Sequence, residues 1–163
     1  MGINYAPETS GNAPYTTGLA EHLVQRGHEV HVLTGQPHYP TWRRLPNNEI
    51  DGVVNGVHVH RRWHYIPQTH SALKRAIYET SFVGSGSMLW GLPRPDATLG
   101  VIPSLGGGLI SRVAASRFKV PYGLLFQDLM GQAAGQSGVG GASKVEGIVR
   151  RSEGWIARGA NRV

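Results

Sequence analysis

Residues 3–33 read INYAPETSGNAPYTTGLAEHLVQRGHEVHVL, and this stretch has the sequence signals of one βαβ unit. Tyr15, Leu19 and Leu23 recur every four residues, and Ala20 and Val24 widen this stripe, so the middle of the stretch predicts a helix that buries this apolar face. Gly27 is the residue type that most often ends a helix in the left-handed conformation. Valines that alternate with polar residues follow it and predict a strand. The stretch therefore predicts a strand end, a loop, a helix and a second strand.

The loop before this helix contains Gly11, Asn12 and Ala13, and Asn is a preferred N-cap residue. In a βαβ unit such a loop lies at the carboxyl edge of the sheet, where backbone N–H groups and the helix dipole attract an anion. A glycine before a helix is more often only a turn, and the chain lacks both G-x-G-x-x-G and the P-loop lysine signature. The pattern alone favours a turn, and phosphate binding stays open as the alternative.

The chain has 163 residues, enough for one domain with a sizeable core and too few for two Rossmann-like domains. Its 16 Lys and Arg against 10 Asp and Glu give a net charge of +6, which favours anionic partners such as a phosphorylated sugar or an anionic bilayer. No nucleic-acid-binding motif occurs, so we expect no nucleic acid partner. The absence of cysteine excludes disulfides and thiolate metal sites.

The sequence contains no signal-peptide pattern and no apolar run long enough to span a bilayer. We therefore expect a cytoplasmic domain, and any contact with the inner face of the plasma membrane would have to be peripheral. Residues 71–90 predict a helix with Ser71 as its cap and Leu73, Ala76 and Ile77 on one side. Lys74 and Arg75 at its start would let it lie against an anionic membrane. An ordinary packed helix with a charged outer face is the simpler interpretation.

Residues 35–46 predict a loop, because three prolines prevent regular structure there. The loop mixes aromatic and basic residues, which include Tyr39, Trp42 and Arg43. Two interpretations stay open. The loop binds a ligand, or its aromatic side chains pack on their own domain.

Asn55-Gly56 between alternating valines is a strong signal for a β-hairpin, and we expect a small hairpin or a strand with a bulge here. His58 and His60 would then point to the same side of one strand, with His64 further on. The eight histidines of the chain have no carboxylate or cysteine partner at a spacing typical of metal sites. They are more typical of a solvated face, and we expect no metal site.

The second half of the chain predicts further strands and helices in alternation. Strands are predicted at 96–102 and 121–126, a flexible glycine turn at 106–108 before a helix, and a mobile glycine-rich segment at 131–143 before a last helix. Asp128 follows the second of these strands, and ligands bind at that edge of an open α/β sheet. Strands that alternate with helices predict an α/β fold with a parallel sheet.

An ordered series of motifs resembles a known family. Residues 4–43 read NYAPETSGNAPYTTGLAEHLVQRGHEVHVLTGQPHYPTWR, and HYIP, SALKRAIYETSF, PSL and QDL follow at 64–67, 71–82, 103–105 and 127–129. This series resembles the start of family 4 glycosyltransferases, most of all the group of colanic acid and related exopolysaccharides. The resemblance covers essentially the whole chain.

The resemblance implies a GT-B fold, in which two Rossmann-like domains face each other across a cleft. The N-terminal domain of such enzymes holds the acceptor, and the C-terminal domain holds the nucleotide-sugar. We therefore expect residues 1–163 to form the N-terminal acceptor domain. Because the family has an apolar run before this point and a second domain after it, we also expect that the chain is truncated at both ends and that its first strand is incomplete.

The resemblance also implies roles for particular residues. The loop of Gly11, Asn12 and Ala13 would approach the donor phosphates. Asp128 lies near the position where many members present a histidine or an acid to the cleft, so it is the candidate general base, and Glu8 is the second candidate. The predicted acceptor-binding residues are His38, Tyr39, Trp42, Arg61 and Arg62.

No metal or other cofactor is expected, because GT-B enzymes stabilise the departing phosphate with helix dipoles and basic side chains. The absence of an Asp-x-Asp motif agrees with this. The leading hypothesis is the acceptor half of an enzyme that moves a sugar from a nucleotide-sugar to a lipid-linked or polysaccharide acceptor; such a half alone would be inactive. The alternative is a non-catalytic acceptor-binding or membrane-docking subunit that pairs with a separate donor-domain chain. An unrelated Rossmann-like nucleotide binder is disfavoured by the missing glycine fingerprint.

Overall fold

The computed structural model describes residues 1–45, 52–69, 71–102, 104–126 and 142–162. In chain order its elements are α1 (Ala13–Gln25), β1 (Val30–Gly35), β2 (Gly52–Val54), β3 (Val57–Arg62), α2 (Ala72–Gly86), β4 (Thr98–Ile102), α3 (Leu105–Phe118), β5 (Tyr122–Phe126) and α4 (Ala142–Arg158). Helices alternate with parallel strands, so the predicted α/β class is confirmed.

The strands form two groups. In the first, β1 pairs with β3 in parallel and β2 pairs with β3 in antiparallel orientation, in the order β1-β3-β2. In the second, β4 pairs with β5 in parallel. Asn55 and Gly56 connect β2 to β3 with φ values of 51° and 80°, which only turn-forming residue types adopt readily. The predicted hairpin is confirmed.

Residues 1–3 lie between the two groups of strands and connect them by backbone hydrogen bonds. The N–H of Gly2 donates to the carbonyl of Leu33 on β1 at 3.1 Å, and the N–H of Val101 on β4 donates to the carbonyl of Met1 at 2.9 Å. In a doubly wound sheet the first strand lies in the centre, and residues 1–3, where the sequence predicts the end of that strand, occupy this position. They hold the carboxyl ends of β1 and β4 in one surface.

Helices cover both faces of this surface. On one side α1 packs on β1 and β3 through Tyr5, Ala20, Val32, Val57 and Val59. On the other side α2 and α3 enclose a core of Ile3, Leu33, Tyr78, Phe82, Leu89, Ile110 and Ala114. Since Val32 and Leu33 are consecutive in β1, they point to opposite faces, as the alternation of a strand requires. A third cluster of Ile102, Ala115, Tyr122, Leu124 and Ile156 joins α3 and α4 to the second pair of strands.

The bounds of the first helix agree with the sequence, and its predicted buried face is correct in part. Ala20 is buried and Val24 packs against the same cluster, whereas Tyr15 is 70% exposed. The other buried residues of α1 are Ala13 and Thr16. The apolar period therefore indicates the helix and one side of its docking face, and the structure adds Ala13 and Thr16 to that face.

The second helix begins as predicted. Ser71 caps α2, because its hydroxyl accepts the N–H of Lys74 at 3.3 Å. The side that carries Leu73 and Ile77 is the outer one, since Leu73 is 71% and Ile77 42% exposed. The helix buries Tyr78 and Phe82 instead. Aromatic rings offer more apolar area than Leu or Ile, so the face that carries them faces the core.

Gly106, Gly107 and Gly108 lie inside α3 and are buried, so the prediction of a flexible turn is wrong. A Cβ atom on Gly107 would lie 2.5 Å from the carbonyl oxygen of Val101. A Cβ atom on Gly106 would lie 2.8 Å from a ring carbon of Phe82. Glycine is therefore required here because the first turn of α3 packs directly on the backbone of β4.

Candidate functional site

Glu8 lies at the carboxyl edge of β1 and is only 5% exposed. Its Oε1 accepts the backbone N–H groups of His38 at 2.8 Å and Tyr39 at 2.7 Å. Its Oε2 accepts the side-chain amide of Asn4 at 2.9 Å. Because hydrogen bonds of this kind to a charged acceptor are strong, the carboxylate fixes the loop after β1 to the loop before α1. In this geometry Glu8 positions the site.

His38 is fully buried behind this carboxylate. Its Nδ1 lies 2.8 Å from the carbonyl oxygen of Gln36, so this nitrogen carries a proton and donates it. Its Nε2 then accepts the hydroxyl of Tyr78 at 3.1 Å. Burial lowers the pKa of His38 and outweighs the bond to Gln36 and the charge of Glu8, which act in the opposite direction. His38 is therefore a neutral imidazole whose two nitrogens both have partners.

Three side chains pack around this histidine, and together with it they form what we call the aromatic cluster: His38, Trp42, His64 and Tyr78. The ring centroid of His38 lies 4.9 Å from that of His64 and 5.4 Å from that of Tyr78, and Trp42 lies 5.6 Å from Tyr78. Burial lowers the pKa of His64 to about 4, and burial raises the pKa of Tyr78. The cluster is a rigid apolar base under the loop of residues 36–45.

The two predicted arginines point to opposite sides of β3. Arg61 is 8% exposed and donates to the backbone carbonyls of Gly35, at 3.1 Å, and Ala6. It therefore holds the end of β1 against the segment before Glu8. Arg62 donates to the carbonyl of Trp90 and lines a separate cavity of about 370 Å³.

Gly11 lies directly beside the loop that Glu8 holds. Its φ is +65°, a conformation that favours glycine, and a Cβ atom there would lie 3.3 Å from the ring of Tyr39. Asn12 occupies the N-cap position of α1, but its side chain makes no capping hydrogen bond. Ala13 is fully buried. The start of α1 therefore opens next to Tyr39, with its N-terminal dipole directed at the same edge.

Two buried polar atoms at this edge have no hydrogen-bond partner among the residues that the structure describes. They are the hydroxyl of Ser10, beside Gly11, and the Oε1 of Gln36, directly after β1. Buried polar atoms are nearly always hydrogen-bonded, so such a pair is typical of a place where water or a polar ligand binds. Ser10 lies beside Gly11 and Gln36 directly follows β1, so this edge is the candidate site.

The structure brings most of the predicted site residues together and separates the others. Glu8, Gly11, His38, Tyr39, Trp42 and Arg61 share one edge, joined by the contacts given above. Arg62 lies on the opposite side of β3, and Asp128 lies outside the described residues. The aromatic side chains of residues 38–42 pack on their own domain, although Tyr39 keeps an accessible part.

Sequence reasoning missed four residues of this edge: Ser10, Gln36, His64 and Tyr78. The prediction of a solvated face for His64 is wrong, because this side chain is 1% exposed. The spacing of Tyr78 and Phe82 by four residues is a usable signal, because it marks the aromatic face of α2. Nothing in the sequence distinguishes Ser10 or Gln36 from ordinary loop residues.

Over the part of the chain that the structure describes, no helix combines the length and the apolar character needed to cross a bilayer.

Comparison with known proteins gives two matches. The family model of the glycosyl transferase 4-like domain matches residues 10–163. A protein of Escherichia coli (strain K12), named "Putative colanic acid biosynthesis glycosyl transferase WcaI", is 33% identical over 129 aligned residues, with a coverage of 71% of this chain and 31% of that protein. The chain thus spans about a third of the length of this relative. No solved structure matches significantly. The chain belongs to the family of glycosyl transferase 4-like domains.

Proposed function

We propose that this chain is the acceptor-binding half of a GT-B glycosyltransferase that moves a hexose from a nucleotide-sugar to a lipid-linked or polysaccharide acceptor in exopolysaccharide synthesis. The family match and the name of the Escherichia coli relative support the sugar-transfer class. The nucleotide-sugar would bind mainly to a second domain, so this chain alone would not catalyse sugar transfer. The name of that relative is the support for exopolysaccharide as the product class.

The observation that carries the proposal is the arrangement at the carboxyl edge of β1. A buried carboxylate, Glu8, holds Tyr39 beside Gly11 and the open start of α1. Ser10 and Gln36 add two buried polar atoms without a partner among the described residues. A sugar has many hydroxyl groups and needs such polar partners together with an aromatic surface, which Tyr39 provides.

Two kinds of residue would act in the reaction. The start of α1 with Gly11 would face the donor phosphates, because a helix N-terminus and a close backbone approach both favour an anion. Asp128 would draw the proton from the acceptor hydroxyl as a general base. The reaction would need no metal ion, since the helix dipole and basic side chains would stabilise the departing phosphate.

We also propose that α2 lies on an anionic membrane surface, which would bring the site close to a lipid-linked acceptor. Leu73 and Ile77 form an exposed apolar face of this helix. Arg43 and Arg44 are exposed on the loop that packs on α2 through Trp42 and Tyr78. An apolar face flanked by cations is the arrangement that binds the interface of anionic lipids.

Kinetics of the complete enzyme, with its donor domain, test the assignment of roles. Asp128→Asn keeps the shape but removes the charge, so we expect kcat to fall by about 10²–10⁴-fold. Gly11→Val places a branched side chain at the close approach and is expected to raise the KM for the nucleotide-sugar. If both variants instead lose activity only in proportion to their melting temperature, the two residues are structural. Asp128→Asn with a normal kcat would transfer the role of base to another group.

A further inference from the structure

A second group of polar side chains lies away from the carboxyl edge. His31 on β1 is paired in register with His58 on β3, and His60 follows two residues later on the same side of β3. The rings of His31 and His58 stack with centroids 4.5 Å apart, and those of His31 and His60 lie 5.2 Å apart. Three imidazoles therefore share one small area of the sheet.

A carboxylate completes this group. The Oε1 of Glu29 lies 2.9 Å from the Nε2 of His31. One ligand atom from each of Glu29, His31 and His58 lies within 4.8 Å of the others. Glu29 is only two residues from His31 in the chain, a spacing that is not typical of metal sites, so the sequence analysis did not identify it as a partner of the histidines.

The second nitrogen of His31 has a partner as well. Its Nδ1 lies 2.9 Å from the Nε2 of His60. When Nε2 carries the proton, it donates a hydrogen bond to Glu29. When Nδ1 carries the proton and donates to His60, the lone pair of Nε2 faces the carboxylate of Glu29, and a cation between the two atoms would be bound by both. A metal-binding histidine commonly donates its other ring N–H to an acceptor in this way.

We propose that Glu29, His31 and His58 bind a divalent transition metal ion of the zinc class, with His60 as the residue that orients His31. Two imidazoles and one carboxylate are a ligand set that zinc accepts, and a fourth position is left for water. With metal–ligand distances of roughly 2.0–2.1 Å, tetrahedral geometry requires the ligand atoms to be about 3.3 Å apart. The Glu29 side chain is 74% exposed, so it can move outward by the necessary few tenths of an ångström. The stacked ring of His58 has to turn toward the ion.

The place of this site separates it from sugar transfer. His31 is the second residue of β1, and Glu8 and Tyr39 lie beyond the other end of that strand, about 13 Å away at the usual rise of a strand. An ion here would tie the turn between α1 and β1 to β3. It would stabilise the domain without taking part in the proposed reaction.

Calorimetric titration of this chain with Zn²⁺, and the visible spectrum of the Co²⁺ form, test the proposal. We expect one ion per chain and a higher melting temperature with Zn²⁺, and no comparable effect of Mg²⁺, which prefers oxygen ligands. Glu29→Gln, His31→Gln and His58→Gln should each weaken binding by at least about tenfold. His60→Gln should weaken zinc binding by about 10-fold, which is the lower end of the range for loss of a residue that orients a metal ligand.

His22→Gln is the matched control, because His22 is exposed on α1 and belongs to no such group. It should bind Zn²⁺ as the unaltered chain does. Glu29→Gln changes an exposed side chain, so a loss of binding in that variant does not come from unfolding. The proposal is overturned if Zn²⁺ does not bind, or if Glu29→Gln and His58→Gln bind as tightly as His22→Gln.

Discussion

The carboxylate of Glu8 accepts the backbone N–H of His38 at 2.8 Å, although 30 residues separate them in the chain. The same oxygen accepts the N–H of Tyr39. One side chain therefore determines where the loop after β1 lies relative to the loop before α1. The position of Tyr39 beside Gly11, on which the proposed acceptor site depends, follows from this contact.

Replacement of Glu8 by Gln should destabilise the chain. The amide of Gln keeps the shape but loses the charge, and its NH₂ group is a donor at a place where an oxygen of Glu8 accepts. We therefore expect the free energy of unfolding to fall by about 1–3 kcal/mol. Urea unfolding measures this. Glu21→Gln is the control, because Glu21 bonds Asn55 at the surface and should cost little. Equal losses in both variants would show that Glu8 does not hold the loop.

The stability of the chain should fall in acid because of His64. Its pKa is lowered from 6.5 to about 4 in the folded chain, so between these values the unfolded chain binds a proton that the folded chain does not. The free energy of unfolding therefore decreases as the pH falls through this window, by about 3 kcal/mol in all. Burial lowers the pKa of His38 as well, which acts in the same direction.

Unfolding measured from pH 7 to pH 4 in His64→Phe tests this assignment. The slope of stability against pH should become smaller, whereas His22→Gln should leave it unchanged. An unaltered slope in His64→Phe would mean that His64 does not contribute to the pH dependence.

Two glycines in helices should respond to alanine with opposite signs. A Cβ atom on Gly18 in α1 would point into open space, with nothing from the rest of the fold within 4 Å, so Gly18→Ala should stabilise the chain by about 0.5–1 kcal/mol. Gly107→Ala forces a methyl group to 2.5 Å from the carbonyl oxygen of Val101 and should cost about 1–3 kcal/mol. Thermal unfolding of the two variants measures both changes in stability. Stabilisation by both substitutions would contradict the close packing of α3 on β4.

The exposed face of α2 should bind anionic vesicles in a salt-sensitive manner. Removal of the charges of Arg43 and Arg44 should weaken binding by about 30-fold, since each basic residue near an anionic surface contributes about 1 kcal/mol. Sedimentation with neutral and phosphatidylserine-containing vesicles measures this. Arg26→Gln, at the exposed end of α1, is the control. Equal binding to both kinds of vesicle would remove the electrostatic component.

Local features of the chain were predictable from the sequence. Gly27 after α1, the Asn55-Gly56 hairpin and the Ser71 cap each depend on the conformation of a few neighbouring residues, and residue type alone indicates such conformations. The alternation of strands and helices followed from the same kind of signal. The α/β class was therefore within reach of the sequence.

Features that depend on contacts between distant parts of the chain were not predictable from the sequence. The apolar period of α1 includes both Ala20 and Tyr15, but only the contact with the sheet determines that Ala20 is buried and Tyr15 exposed. The bonds from Glu8 to His38 and from His31 to His60 join residues about 30 positions apart. No pattern within one segment predicts them, because they arise only when the segments pack.

The most direct test of the central claim is to measure acceptor binding and sugar transfer with this chain alone. Titration with a water-soluble analogue of a lipid-linked acceptor should show binding, which Tyr39→Ala abolishes and which Trp90→Ala, at an exposed residue elsewhere, leaves intact. Incubation with that analogue and radiolabelled nucleotide-sugars should give no glycosylated product. Sugar transfer by this chain alone, or acceptor binding that Tyr39→Ala does not change, would contradict the account.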